Sequence, residues 1–113
     1  MHEMSLAESV REIVDETARA NGASRVTRVR LEIGQLAQVE IDALRFAFEV
    51  VRRGSLAASA LLELVEIDGS AWCMACSSPV VISRRGNPGP RCQSHQLQVT
   101  GGDRMRVIDI EID

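Results

Sequence analysis

A chain of 113 residues accommodates one ordinary domain, or one compact core with a small satellite, and excludes an enzyme built around a deep multi-domain cleft. At 45% hydrophobic and 26% charged residues it has the composition of a folded globular protein. A formal net charge of -3 argues against general nucleic-acid binding, whose affinity comes from phosphate neutralisation, and 3% aromatic residues leave little for base stacking.

In chain order, Ser5 and Glu8 have the spacing of a capping box, which predicts a helix starting at Ser5. Leu6, Val10, Ile13 and Val14 recur on one face of it, and Asn21-Gly22 stops it. From Arg25 the period changes to two: Val29, Leu31 and Ile33 alternate with Arg28, Arg30 and Glu32, the pattern of a strand with one wet face, ended by Gly34. A second helix is predicted over about 40–53, with Leu44, Phe48 and Val51 inward and Gly54 as its stop. The stretch 57–67 carries both helical and strand signals, and the reading taken is a strand. Ile108, Ile110 and Ile112 form a half-buried closing strand, and the different phase of Met105 and Val107 predicts a bulge near Val107.

Residues 69–102 differ in composition. They hold every cysteine and every proline of the chain but too few apolar side chains for a core of their own, so a metal is expected to hold them. Cys73-Met74-Ala75-Cys76 and Cys92-Gln93-Ser94-His95 are two short-spaced pairs, each beside turn residues, and offer a zinc ion four nitrogen and sulfur donors. Four protein ligands make a closed, structural site. The competing reading, a redox pair Cys73/Cys76 with an unrelated Cys92, lacks the βαβ setting of thioredoxin-like sites.

The chain contains no lysine, so the α-amine of Met1 is the one primary amine available as a ligand. That amine, the backbone nitrogen of His2 and its imidazole close adjoining chelate rings in one plane, an arrangement suited to Ni(II) or Cu(II). Glu3 and Glu40 are candidate oxygen donors, or acceptors that orient the imidazole. No apolar run reaches membrane-spanning length and no secretory leader is evident, so a cytoplasmic setting is expected, with no membrane partner.

Met1-His2-Glu3, the 25–34 strand, Phe46-x-Phe48 with Arg53-Gly54-Ser55, the cysteine knuckles and the closing Ile108-to-Ile112 strand together resemble the HypA/HybF family of hydrogenase nickel incorporation proteins over nearly the whole chain. The resemblance implies an α+β fold of two helices on a three-stranded, mostly antiparallel sheet. A nickel-binding domain would comprise 1–68 and 103–113, and an inserted zinc-binding domain 69–102. It makes 61–67 a strand. It also implies a nickel metallochaperone, not an enzyme, that delivers Ni(II) to the large subunit of [NiFe] hydrogenase. The GTPase HypB would be its partner, urease maturation proteins a further partner class, and the assembly a monomer or homodimer. His2 would be the essential nickel ligand, with Glu3 contributing and Glu40 standing where an aspartate is associated with the same site. The second knuckle departs from the family's usual Cys-x-x-Cys, since His95 takes the place read as its second cysteine.

A zinc-ribbon adaptor acting through Arg84, Arg85 and Arg91 on nucleic acid or protein is the alternative, disfavoured by the acidic balance. A hydrolytic or redox enzyme is disfavoured because two histidines and no nucleophile beside a base leave no triad to assemble. Leu36 and Val39 are candidates for a docking surface, or simply for capping the core.

Overall fold

A computed structural model describes residues 2–113. The elements are helix α1 (His2–Ala20), strand β1 (Val26–Gly34), a 3-10 turn (Gln35–Ala37), helix α2 (Ile41–Val51), and strands β2 (Leu61–Ile67), β3 (Gly69–Cys73), β4 (Ser78–Ile82), β5 (Leu97–Gly101) and β6 (Met105–Ile112). Helices and sheets coexist in an α+β fold with two three-stranded sheets, ordered β2-β1-β6 and β4-β3-β5. The chain packs into two compact units. The first takes the residues up to Leu31, Val39–Leu64 and Val107–Asp113, and the second Glu32–Gln38 and Val65–Arg106.

In the first unit the two helices pack against each other. The buried stripe of α1 is Ala7, Val10, Val14 and Ala18, at the three-and-four spacing of one helical face. Ile13, expected on that face, is half exposed, because two alanines rather than two large side chains line the contact and draw the stripe round the helix. Leu44, Ala47 and Phe48 are the buried residues of α2. The C-terminus of α1 closes as a Schellman motif: Ala23 N–H donates to Ala18 O at 2.9 Å and Gly22 N–H to Arg19 O at 3.0 Å. Gly22 adopts φ 71, which a side chain would resist.

The amino end of α1 departs from the sequence expectation. The helix is already formed at His2, so Ser5 and Glu8 lie inside it and no capping box marks its start. Glu3 sits in the first turn, where a carboxylate suits the helix dipole.

On the wet face of β1, Arg28 reaches Glu63 of β2 at 3.4 Å and Glu111 of β6 at 3.2 Å. Arg30 grips Asp109 through two nitrogens, at 2.9 and 2.7 Å. This holds Asp109 below the usual carboxylate range, chiefly through the guanidinium hydrogen bond. Of the ambiguous stretch 57–67, the strand is Leu61–Ile67, as the resemblance implies; the preceding segment is turn, with Ala57 and Ala60 buried. In β6 the alternation does break at Val107 and Ile108, both half-buried. Arg106 meets Glu32 while Asp109 meets Arg30, one residue out of step, as the expected bulge near Val107 requires.

In the second unit β3 is the central strand. It pairs antiparallel with β4, Ala71 opposite Val80 and Trp72 opposite Pro79, and with β5, Trp72 opposite Gln98 and Cys73 opposite Leu97. A bulge leaves Thr100 between the Ser70–Gly101 and Ala71–Val99 pairs. One face of this sheet buries Ala71, Cys73, Val80 and Ile82 around Leu36, with Leu97 and Val99 at its margin. Trp72 points to the other face and is 40% exposed. Leu36, a candidate docking residue on sequence, is therefore core. Its N–H donates to Gly102 O at 2.8 Å. The compositional boundaries at 69 and 102 lie inside this unit because Leu36 and its neighbours complete it.

Candidate metal centres

Cys73 ends β3 and is fully buried, placed there by the strand's alternation with Ala71. The chain then turns through Cys76, whose N–H donates to Cys73 Sγ at 3.4 Å, and Ser77 adopts φ 50 to bring it back into β4. A second turn carries Cys92. Gly89 N–H donates to Ser94 O at 2.7 Å, Gln93 N–H to Gly89 O at 2.9 Å, and Gln93 adopts φ 60. Met74 N–H to Gln96 O, at 2.9 Å, ties the two turns together.

The result is three sulfurs, of Cys73, Cys76 and Cys92, all within 4.8 Å of one another. Cys73 Sγ and Cys92 Sγ are 3.5 Å apart, and the cysteines are free. A disulfide would need about 2.05 Å, whereas the edge of a tetrahedron with metal–sulfur bonds of about 2.3 Å is roughly 3.8 Å. The separations thus fit a shared cation.

Cys73 is held below the usual thiol range, first by the N–H of Cys76, while Cys76 is pushed up to about 12, first by its hydrogen bond to the Cys92 sulfur. Three thiolates cannot stand together without a positive charge among them, and a divalent ion supplies it. The donor set suits a borderline-soft ion such as zinc.

His95 does not join them. Among the described residues the metal-ligating group consists of the three cysteines, and the exposed His95 ring instead lines a cavity of about 290 Å³ with Ile82, Arg85, Gly86, Asn87, Leu97 and Val99. Equal spacing from Cys92 does not carry the side chain inward, because the left-handed turn at Gln93 re-aims the backbone before His95. Arg84, Arg85 and Arg91 are exposed, and Arg85 lies 3.8 Å from Asp103, which reduces the positive patch.

At the amino terminus, Met1 lies outside the described residues. His2 is exposed, and its Nδ1 is 3.4 Å from Glu3 Oε2. The same Glu3 oxygen accepts the backbone N–H of Glu40 at 3.3 Å, so His2, Glu3 and Glu40 come together in one unit. That N–H is the first cause, followed by Glu3's own backbone N–H and by His2, of a Glu3 carboxyl held below 4.5. Glu40 participates through its main chain; its carboxylate accepts Asp42 N–H at 3.4 Å and caps α2. Sequence reading offered only the Glu40 side chain, since a backbone donor leaves no signature in residue types. The amide of His2, in the first turn of α1, has no intrahelical acceptor.

A family described as "Hydrogenase/urease nickel incorporation, metallochaperone, hypA" matches residues 1–112. The chain belongs to the HypA family. It is 50% identical over 113 residues to a hydrogenase maturation factor HypA of Azotobacter vinelandii, covering 100% of both chains. Its identity to the HypA of Azoarcus sp. is 50% over 112 residues, covering 99% of this chain and 98% of that one. The fold is similar to the solution structure of the Ni metallochaperone HypA from Helicobacter pylori, with a TM-score of 0.71 at 27% identity over 97% of this chain and 96% of that one. These relatives are described as a maturation factor and a metallochaperone. No helix among the described residues is long and apolar enough to cross a membrane.

Proposed function

We propose that this chain is a cytoplasmic nickel carrier that takes up Ni(II) at its first residues and passes it to the large subunit of [NiFe] hydrogenase. The GTPase HypB is its partner in that transfer, urease maturation proteins form a second client system, and the carrier works as a monomer or homodimer. Its role is carriage, with no bond made or broken in a substrate. The nickel-binding part is 1–68 with 103–113; the zinc-binding part, 69–102, keeps one ion through Cys73, Cys76 and Cys92 as a structural staple.

The observation that carries this reading is the Glu3 carboxylate shared between His2 Nδ1 and the Glu40 amide. Nickel coordinated by the Met1 amine, the His2 amide nitrogen and His2 Nδ1 takes the ring nitrogen that Glu3 otherwise faces. Glu3 and the ion therefore compete for one imidazole, and displaced Glu3 remains beside the ion as an oxygen donor. Competition of this kind gives a site that binds and also lets go, as delivery requires.

Ni(II) titration of chain with a native start tests the reading, followed by calorimetry and by the absorption of planar nitrogen-coordinated nickel. One ion is expected to bind, and His2→Ala or acetylation of the amino terminus is expected to abolish binding without changing zinc content. Unaltered nickel uptake after both changes would refute the proposal.

A further inference from the structure

The two turns that present the sulfurs are built alike. In the first, Cys76 is followed by Ser77 in the left-handed region at φ 50; in the second, Cys92 is followed by Gln93 at φ 60. Matching these two left-handed residues aligns Cys92 with Cys76. It also aligns the residue three positions earlier, Gly89, with Cys73. The second knuckle therefore runs from Gly89 to Cys92, not from Cys92 to His95.

Space around Gly89 agrees with that alignment. The residue is buried, and a Cβ built on it would lie 3.7 Å from Cys73 Sγ, 3.5 Å from Leu97 Cδ2 and 3.5 Å from Ser94 O. These are ordinary contact distances, and Gly89 is not among the residues with positive φ, so a side chain is admitted there and would start out beside the sulfur cluster. Gly89 thus offers no side chain at a position beside the three sulfurs, and His95 is not part of the ligating group among the described residues.

Resting on the zinc reading above, we infer that the ion held by Cys73, Cys76 and Cys92 has its fourth vertex, the Gly89 corner, filled by an exchangeable outside donor. With three thiolates already bound, that donor is a water molecule, replaceable by a small thiol. The site is then a staple with one coordination position open to exchange, unlike a site closed by four protein ligands.

The test uses the full chain with Co(II) in place of zinc. Metal content comes first: one ion in the wild-type chain that is lost in Cys73→Ser establishes the three-sulfur site, and no bound ion would defeat the zinc reading itself rather than this inference. With the ion present, 2-mercaptoethanol is expected to shift the ligand-field bands of the wild-type chain and of His95→Ala alike, and the two are expected to bind Co(II) equally.

Gly89→Cys is expected to raise the sulfur-to-cobalt charge-transfer intensity by about one third, as three sulfurs become four. It should also tighten binding ~10–100-fold, at least the range seen when a supporting group of a metal site is altered, and remove the response to thiol. The inference is overturned if wild-type bands ignore the thiol, if His95→Ala alone weakens binding about tenfold, or if folded Gly89→Cys leaves the spectrum unchanged. The thiol titration needs no substituted chain, so a Gly89→Cys protein that fails to fold leaves it decisive.

Discussion

The two candidate metal sites occupy opposite kinds of ground. The cysteine cluster grows out of the buried face of a sheet, with Cys73 fully enclosed among Leu36, Ala71, Val80 and Ile82. The amino-terminal group lies on the surface, with His2 exposed and Glu3 held by one main-chain N–H from Glu40. The Cys73 sulfur, rooted in that core, cannot move without disturbing it, whereas the exposed His2 imidazole needs only a change of side-chain torsion. On the proposed reading, retention and release are separated by how deeply these two donors are anchored.

The largest effect expected from breaking this contrast is removal of the staple. Structural zinc in small domains contributes apparent binding energies of about 10–16 kcal/mol, a large share of what holds a unit with so few buried side chains. Cys73→Ser is expected to release the ion and collapse the dispersion of 69–102 in an amide NMR spectrum, while the helical far-ultraviolet signal of α1 and α2 survives. Loss of both together would show that the units fold as one.

The complementary damage is next in size. Phe48 is a large, fully buried side chain of the first unit. Phe48→Ala should cost about 3–5 kcal/mol in denaturant unfolding followed by circular dichroism, with metal content at the cysteines unchanged.

A smaller effect sharpens the account of the amino terminus. Because the Glu3 carboxyl is held below its ordinary value, the stability it contributes is present above about that ordinary value, 4.5, and is lost as pH falls through the lower folded one. The Glu40 amide resonance should titrate with a midpoint below 4.5, and the titration should vanish in Glu3→Gln. The smallest change expected is from Arg30→Gln, which removes the exposed Asp109 pair and should give a slight loss of stability that fades as salt is added.

Much of the scaffold was legible in the residues. Val29, Leu31 and Ile33 announce β1 because a sheet with one wet face forces period two, and Asn21-Gly22 announces the end of α1 because the chain must turn left-handed there. The Cys73–Cys76 pair was legible for the same reason that it works, since short spacing keeps donors close. What escaped depends on direction or on distant contacts. Counting residues from Cys92 finds His95 but cannot see the left-handed residue at Gln93 between them, and His95 stays outside the ligating group. The Ser5–Glu8 pattern is a true local signal overridden by a tertiary one, as Glu3 is met by a main-chain donor 37 residues on and the helix extends back to His2. Ala7 and Ala18 went unnoticed beside Leu6 and Ile13 because size, not hydrophobicity, decides how closely two helices approach.

The position of Trp72 makes the protein its own instrument. It is the chain's single indole, next to Cys73 on the outer face of β3, so its emission senses one compact unit alone. Backbone ellipticity at helical wavelengths senses the other, which holds both α-helices. Heating or denaturant followed with the two signals side by side should give two curves whose coincidence or separation measures the cooperativity between the halves directly, with no label attached.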